Sequence, residues 1–118
     1  MDTAADVAVG VVAALHACFA VLEAYFWDKP LGRRVFGLRP EFAAASRALA
    51  ANQGLYNGFL AAGLAWSLLR DAPGDDVKVF FLACVVVAGV VGAATVSRKI
   101  LWVQALPGAV ALALLALP

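Results

Sequence analysis

ANQGLYNGFLAAGLAW, residues 51–66, opens with Asn52, Gln53, Tyr56 and Asn57 and then carries no further amide or charged side chain. Four hydrogen-bonding side chains within six positions are unusual in so apolar a chain. Their placement at one end of a hydrophobic run decides how the rest is read.

The surrounding composition is that of a membrane protein. Hydrophobic residues make up 64% of the 118 residues and charged residues 14%. A soluble domain holds about 45–50% and about 25% respectively. The charges cluster, leaving long uncharged stretches that a bilayer accepts. A length of 118 residues implies one domain. The net charge of +1 gives no electrostatic basis for binding nucleic acid. Cys18 and Cys84 lie inside apolar runs without a C-x-x-C spacing and read as small buried apolar residues. Asp2 and Asp6 stand where a cleavable signal peptide has its basic region.

The expected fold is an all-α membrane protein, a compact antiparallel bundle of four transmembrane helices. Spans are expected at about 7–27, 49–69, 77–97 and 100–117, all within one domain covering residues 1–118. No period-two alternation is visible, and a backbone in lipid must satisfy its own hydrogen bonds, so helices are the choice. Asp71–Asp76 has the composition of a turn. The link at Arg98-Lys99 is so short that the flanking helices must be antiparallel neighbours. Only the connection from Asp28 to Ala48 is long. Within it, Pro40-Glu41 has the pattern of a helix start, so an interfacial helical segment is expected from Glu41 through Arg47, ahead of the second span. Pro107 should kink the last span.

Counting cations gives the orientation. The first loop holds Lys29, Arg33, Arg34, Arg39 and Arg47, and the third Arg98 and Lys99, seven in all; the other side holds Arg70 and Lys78. Cytoplasmic loops carry the excess. Both termini are therefore expected outside the cytoplasm, in a multi-pass protein of the inner (plasma) membrane. Glu23, Asn52, Gln53, Tyr56, Asn57, Thr95, Ser97 and Gln104 then share the cytoplasmic leaflet, with His16 about 10 Å higher at 1.5 Å per residue. His16 and Glu23 are seven apart and share a helix face, with Trp27 one turn on. Gly54 and Gly58 form a G-x-x-x-G, part of a small-residue stripe with Ala61 and Ala65; Gly89 and Ala93 repeat the spacing.

These residues suit a cytoplasm-facing polar pocket. The candidate ligand-binding residues are Glu23, His16, Trp27, Asn52, Gln53, Tyr56, Asn57 and Gln104; Glu23 and His16 are the candidate catalytic pair. A charge at the centre of a membrane helix costs about 2.5–3.5 kcal/mol, so intramembrane acids are functional candidates. The bland alternative pairs Glu23 with Arg33, Arg98 or Lys99. His16 lacks partners at ligand spacing, so no metal and no cofactor are expected. Its alternatives are proton exchange with Glu23 and a satisfied buried histidine. Three functions stay open. One is a binder or transporter of a small apolar or amphipathic molecule, proton-linked through Glu23 and working as a homodimer. Another is a membrane enzyme in which Glu23 and His16 do acid–base work on a lipid-like substrate while Tyr56 and the asparagines hold an oxyanion. The third is a structural or partner-binding subunit, with the polar belt joining helices.

HACFAVLEAYFWDKPLGRRVFGL, ANQGLYNGFLAAGLAW and SRKILWVQALPG together closely resemble the domain-of-unknown-function 1304 family of small integral membrane proteins. The resemblance covers nearly the whole chain. Its signature positions fall on His16, Glu23, Trp27, Asn52, Gln53, Gly54, Tyr56, Asn57, Lys99 and Gln104. It implies four membrane spans and lends no activity.

Overall fold

The computed structural model describes residues 3–70 and 75–118. Their elements are α1 (Thr3–Tyr25), α2 (Pro30–Phe36), α3 (Pro40–Leu69), α4 (Asp75–Thr95), a π-helical turn (Leu101–Ala105) and α5 (Leu106–Ala116). No strand occurs among the described residues. The turn expected over Asp71–Asp76 falls largely on residues 71–74, which lie outside the described residues, as does Asp2.

The first connection differs most from expectation. In place of an irregular loop, residues 30–36 fold into α2. Pro30 starts it, because a first-turn proline loses no helical hydrogen bond. Gly37 ends it at φ 67°, and the N–H groups of Gly37 and Leu38 both return to the Arg33 carbonyl. A helix of seven residues is too short to leave a periodic signature. α3 then begins at Pro40, with Glu41 in its first turn, and runs unbroken to Leu69. The helix start read from Pro40-Glu41 is therefore present. Trp27, expected to close the first span, lies beyond the end of α1 at Tyr25.

The last helix begins with a π turn ahead of Pro107. Pro107 has no N–H, so the i−4 ladder is interrupted there. The chain accommodates this with a π turn over 101–105, in which the Leu106 N–H reaches back five residues to the Leu101 carbonyl. Gln104 lies within this turn.

Two helices, Thr3–Tyr25 and Asp76–Thr95, are long and apolar enough to cross a membrane; Leu101–Ala116 is apolar but shorter. α3 is longer than either, but its Asn52–Asn57 belt and the charges Glu41 and Arg47 dilute its apolar character.

The chain divides into two compact units, Leu15–Phe59, and Met1–Ala14 with Leu60–Pro118. In the second of these, Val9, Val12, Leu64, Leu82, Val85 and Ala111 form one core contributed by four helical segments. α4 and the segment after it run antiparallel: Gly92 faces Ile100, Gly89 faces Ala105 and Gly108 faces Val85. The short Arg98-Lys99 link demands this pairing. A buried ion pair, unforeseen from the sequence, ties Lys78 Nζ to Asp6 Oδ1 at 3.0 Å. Lys78, one of the two cations counted on the outer side, is 5% exposed.

At Gly89 the close approach is obligatory. A Cβ there would stand 2.6 Å from the backbone nitrogen of Ala105, whereas one at Gly10 would meet only Leu68 Cδ1 at 3.9 Å. Gly89→Ala is expected to destabilise the chain by about 1–3 kcal/mol. Gly10→Ala should be neutral or stabilising by about 0.5 kcal/mol, through helix propensity. Thermal unfolding of both variants in the same detergent checks the contrast; equal effects would contradict the packing described.

Candidate functional site

The Leu15–Phe59 unit holds seven of the eight residues singled out as ligand-binding candidates. Its centre is Glu23, 7% exposed near the end of α1. The Asn57 side-chain amide donates to Glu23 Oε1 at 2.5 Å. Sequence spacing within one helix cannot reveal this pair, because the residues lie 34 positions apart.

Gly54 makes the pair possible. A Cβ at position 54 would lie 2.9 Å from the Ala20 carbonyl oxygen, 3.1 Å from the Ala24 nitrogen and 3.2 Å from Glu23 Cβ. Gly58 is different, since a Cβ there would meet only Ala20 Cβ at 4.0 Å. Of the G-x-x-x-G pair, position 54 alone requires glycine for space. The bare backbone at Gly54 brings α3 against α1, and Asn57, three residues on, reaches Glu23.

No basic side chain lies within ion-pair distance of Glu23 among the described residues; the ion pairs of this unit reduce to Arg47 with Asp28 at 3.6 Å. In place of the alternative of an interfacial ion pair with Arg33, Arg98 or Lys99, the Glu23 carboxyl accepts a hydrogen bond from the Asn57 side chain.

The other candidates divide by exposure. His16 is fully buried, with its ring edge-on to Phe19 at 5.7 Å. Trp27 is half-buried, stacks on Phe36 at 5.0 Å and donates from Nε1 to Ser46 Oγ at 2.9 Å. Ser46 in turn donates to the Phe42 carbonyl at 2.6 Å. Trp27 therefore clamps the end of α1 to α2 and to the first turns of α3. Neither Phe36 nor Ser46 carries a sequence signal for this role.

Asn52, Gln53 and Tyr56 are exposed rather than enclosed, Tyr56 to 57% with its ring edge against Phe59. Together they form an open polar strip along α3, beside half-buried Asn57. Gln104 belongs to the other unit and is half-buried in the π turn. Among the described residues, no three His, Cys, Asp and Glu side chains gather as a metal ion requires.

What the arrangement can do chemically is limited and clear. A buried carboxyl group, held on one side by an amide, offers a proton-exchanging anchor. The adjoining exposed amides and phenol offer donors and acceptors to a bound molecule.

Replacing Asn57 by Ala removes the side-chain hydrogen-bond donor that meets a buried carboxyl group, and such an orphaned acceptor costs about 1–3 kcal/mol. Asn57→Ala should lower the melting temperature accordingly. Glu23→Gln keeps an acceptor oxygen and should change it much less. A larger loss for Glu23→Gln than for Asn57→Ala would contradict this account of the bond.

A family model described as a protein of unknown function (DUF1304) matches residues 10–116. No curated protein and no solved structure matches the chain.

Proposed function

The chain belongs to the DUF1304 family, and from its geometry we propose a four-span integral protein of the inner membrane that binds a small, partly apolar molecule beside Glu23. Transport of that molecule is coupled to protons through the Glu23 carboxyl. The observation that carries the reading is the Glu23–Asn57 pair: a buried carboxyl with one amide partner, flanked by the open strip of Asn52, Gln53 and Tyr56.

The membrane part rests on where the apolar surface lies. A core helix of a soluble protein is mostly buried, yet only 22% of the most apolar window of α1, and likewise of α4, is buried. Val7, Val11 and Val21 on α1 and Phe80, Val87, Val90 and Val91 on α4 are all exposed, Val87 to 63%. So many exposed large apolar side chains are unfavourable in water and ordinary in lipid. α3 and the 101–116 segment supply the remaining two spans, α3 with its polar belt in the cytoplasmic leaflet.

Charge pairing supports the orientation. The two cations on the proposed outer side are matched by acids, Lys78 by Asp6 at 3.0 Å and Arg70 by Asp76 at 4.0 Å. The first loop keeps a cationic excess, as cytoplasmic loops do. A carrier of this size needs a homodimer to assemble two half-sites. Acid–base catalysis would need Glu23 and His16 to reach one substrate; Glu23 instead bonds Asn57, and His16 lies against Phe19. Ligand binding is therefore the reading carried further.

Tetraphenylphosphonium, an apolar cation complementary to a carboxyl group in apolar surroundings, serves as the probe. In liposomes, uptake driven by a proton gradient is expected for the wild type and should fall at least tenfold in Glu23→Gln. Equal gradient-driven uptake would contradict proton coupling at Glu23.

Topology is checked separately. In a Cys18→Ala, Cys84→Ala background, Gly74→Cys should react with an impermeant thiol reagent added outside intact cells. Labelling only after the cells are broken would reverse the proposed orientation.

A further inference from the structure

The first connection has a second face that the Glu23 site does not use. α2 is held on one side: a Cβ at Gly32 would run into the Phe26 carbonyl and approach Trp27 Cα to 3.0 Å, and Phe36 carries the Trp27 ring. Gly32 and Phe36, four apart, therefore face inward. Leu31, Arg34 and Val35 share the opposite face by the same helical spacing, and all three are exposed, Leu31 to 46% and Val35 to 51%.

This outer face is both apolar and basic. Arg34 lies on it, Lys29 directly precedes α2 and Arg39 follows its Gly37 cap; all three are exposed, and none has an ion-pair partner among the described residues. Asp28 is already held by Arg47 at 3.6 Å, which leaves Glu41 as the one acid to balance them in this stretch. Arg33, on the inner side, has its Nε shut from solvent without a hydrogen-bond partner among the described residues. Short apolar anchors flanked by arginine and lysine are the pattern of a segment lying in a membrane interface. A second copy of this chain is a poor occupant of the same face, since it would bring like charges together.

We propose that the outer face of α2 is a binding site for anionic phospholipid headgroups, with Leu31 and Val35 seated at the acyl boundary and Lys29, Arg34 and Arg39 on the phosphates. The inference rests on the membrane reading above and adds a lipid preference to it. The occupant is fixed by charge complementarity: three exposed cations, without ion-pair partners among the described residues, against a surface of fixed anions. Each basic residue near such a surface is worth roughly a fivefold change in partition.

The test uses the full chain in phosphatidylcholine vesicles, with spin-labelled phosphatidylglycerol or phosphatidylcholine as reporter. The ratio of protein-associated to bulk label gives the preference. Phosphatidylglycerol should be preferred severalfold at low salt, and the preference should fall towards one as salt is raised, because exposed charges are screened. The Lys29→Gln, Arg34→Gln, Arg39→Gln triple variant should abolish the preference, bringing the ratio to about one. All three positions are exposed, so folding should be intact, and circular dichroism checks this. Arg34→Lys with Arg39→Lys should keep the preference.

A ratio of one in the wild type, or an unchanged ratio in the triple variant, overturns the proposal. Displacement of the label by millimolar inorganic phosphate, beyond that by chloride at equal ionic strength, would assign the face to free phosphate and also overturn it. Alkaline extraction from purely neutral vesicles tests the transmembrane reading by itself, since neither lipid charge nor these three cations enters that measurement.

Discussion

The hydrogen bond from Asn57 to Glu23 can form only because α3 approaches α1 at a position without a side chain. Gly54 sets that approach, with the Ala20 carbonyl where a Cβ would otherwise lie. The bond and the glycine are two parts of one constraint. A carboxyl group in an apolar environment needs a partner, and the partner must come from another segment of the chain. The residue that lets the backbones meet stands three positions before the residue that uses the meeting.

Polar side chains elsewhere are satisfied more cheaply. Ser46, Ser67 and Thr95 each donate to a carbonyl three or four residues back in their own helix. Such bonds hide polarity without joining elements. The Asp6–Lys78 pair joins α1 to α4 through opposite charges. Against this background Asn52, Gln53 and Tyr56 stand out, because they are exposed and lie within five residues of Asn57, which holds the buried carboxyl. Hydrogen bonds between membrane helices contribute only about 0.6 kcal/mol each on average, so joining helices is a weak reason to keep three polar groups on an outer face.

Much of this was legible in the sequence, and for physical reasons. Long apolar runs announce helices of a given length, and Pro40-Glu41 announces a helix start, because both signals are local. The antiparallel contact of α4 with the 101–116 segment follows from a two-residue link that allows no other path. Glu23 stands out because an acid in an apolar run is costly. The partner of Glu23 was less accessible: Asn57 was one of four neighbouring polar residues, and only tertiary contact selects it. Nor could spacing separate Gly54, which space requires, from Gly58, which it does not. α2, the Trp27 clamp and the Lys78–Asp6 pair were invisible for related reasons. The first is too short for periodicity, and the other two join residues distant in sequence.

The chain has two asparagines, Asn52 and Asn57. Selective 15N labelling of asparagine thus gives two side-chain amide signals, one from each side of the proposed site. In detergent micelles, the Asn57 amide should exchange slowly with solvent and the Asn52 amide quickly, and adding tetraphenylphosphonium should shift Asn57. Two fast-exchanging amides, or an Asn57 signal unmoved at saturating probe, would contradict the claim that Glu23 and Asn57 form a buried pair at a ligand site.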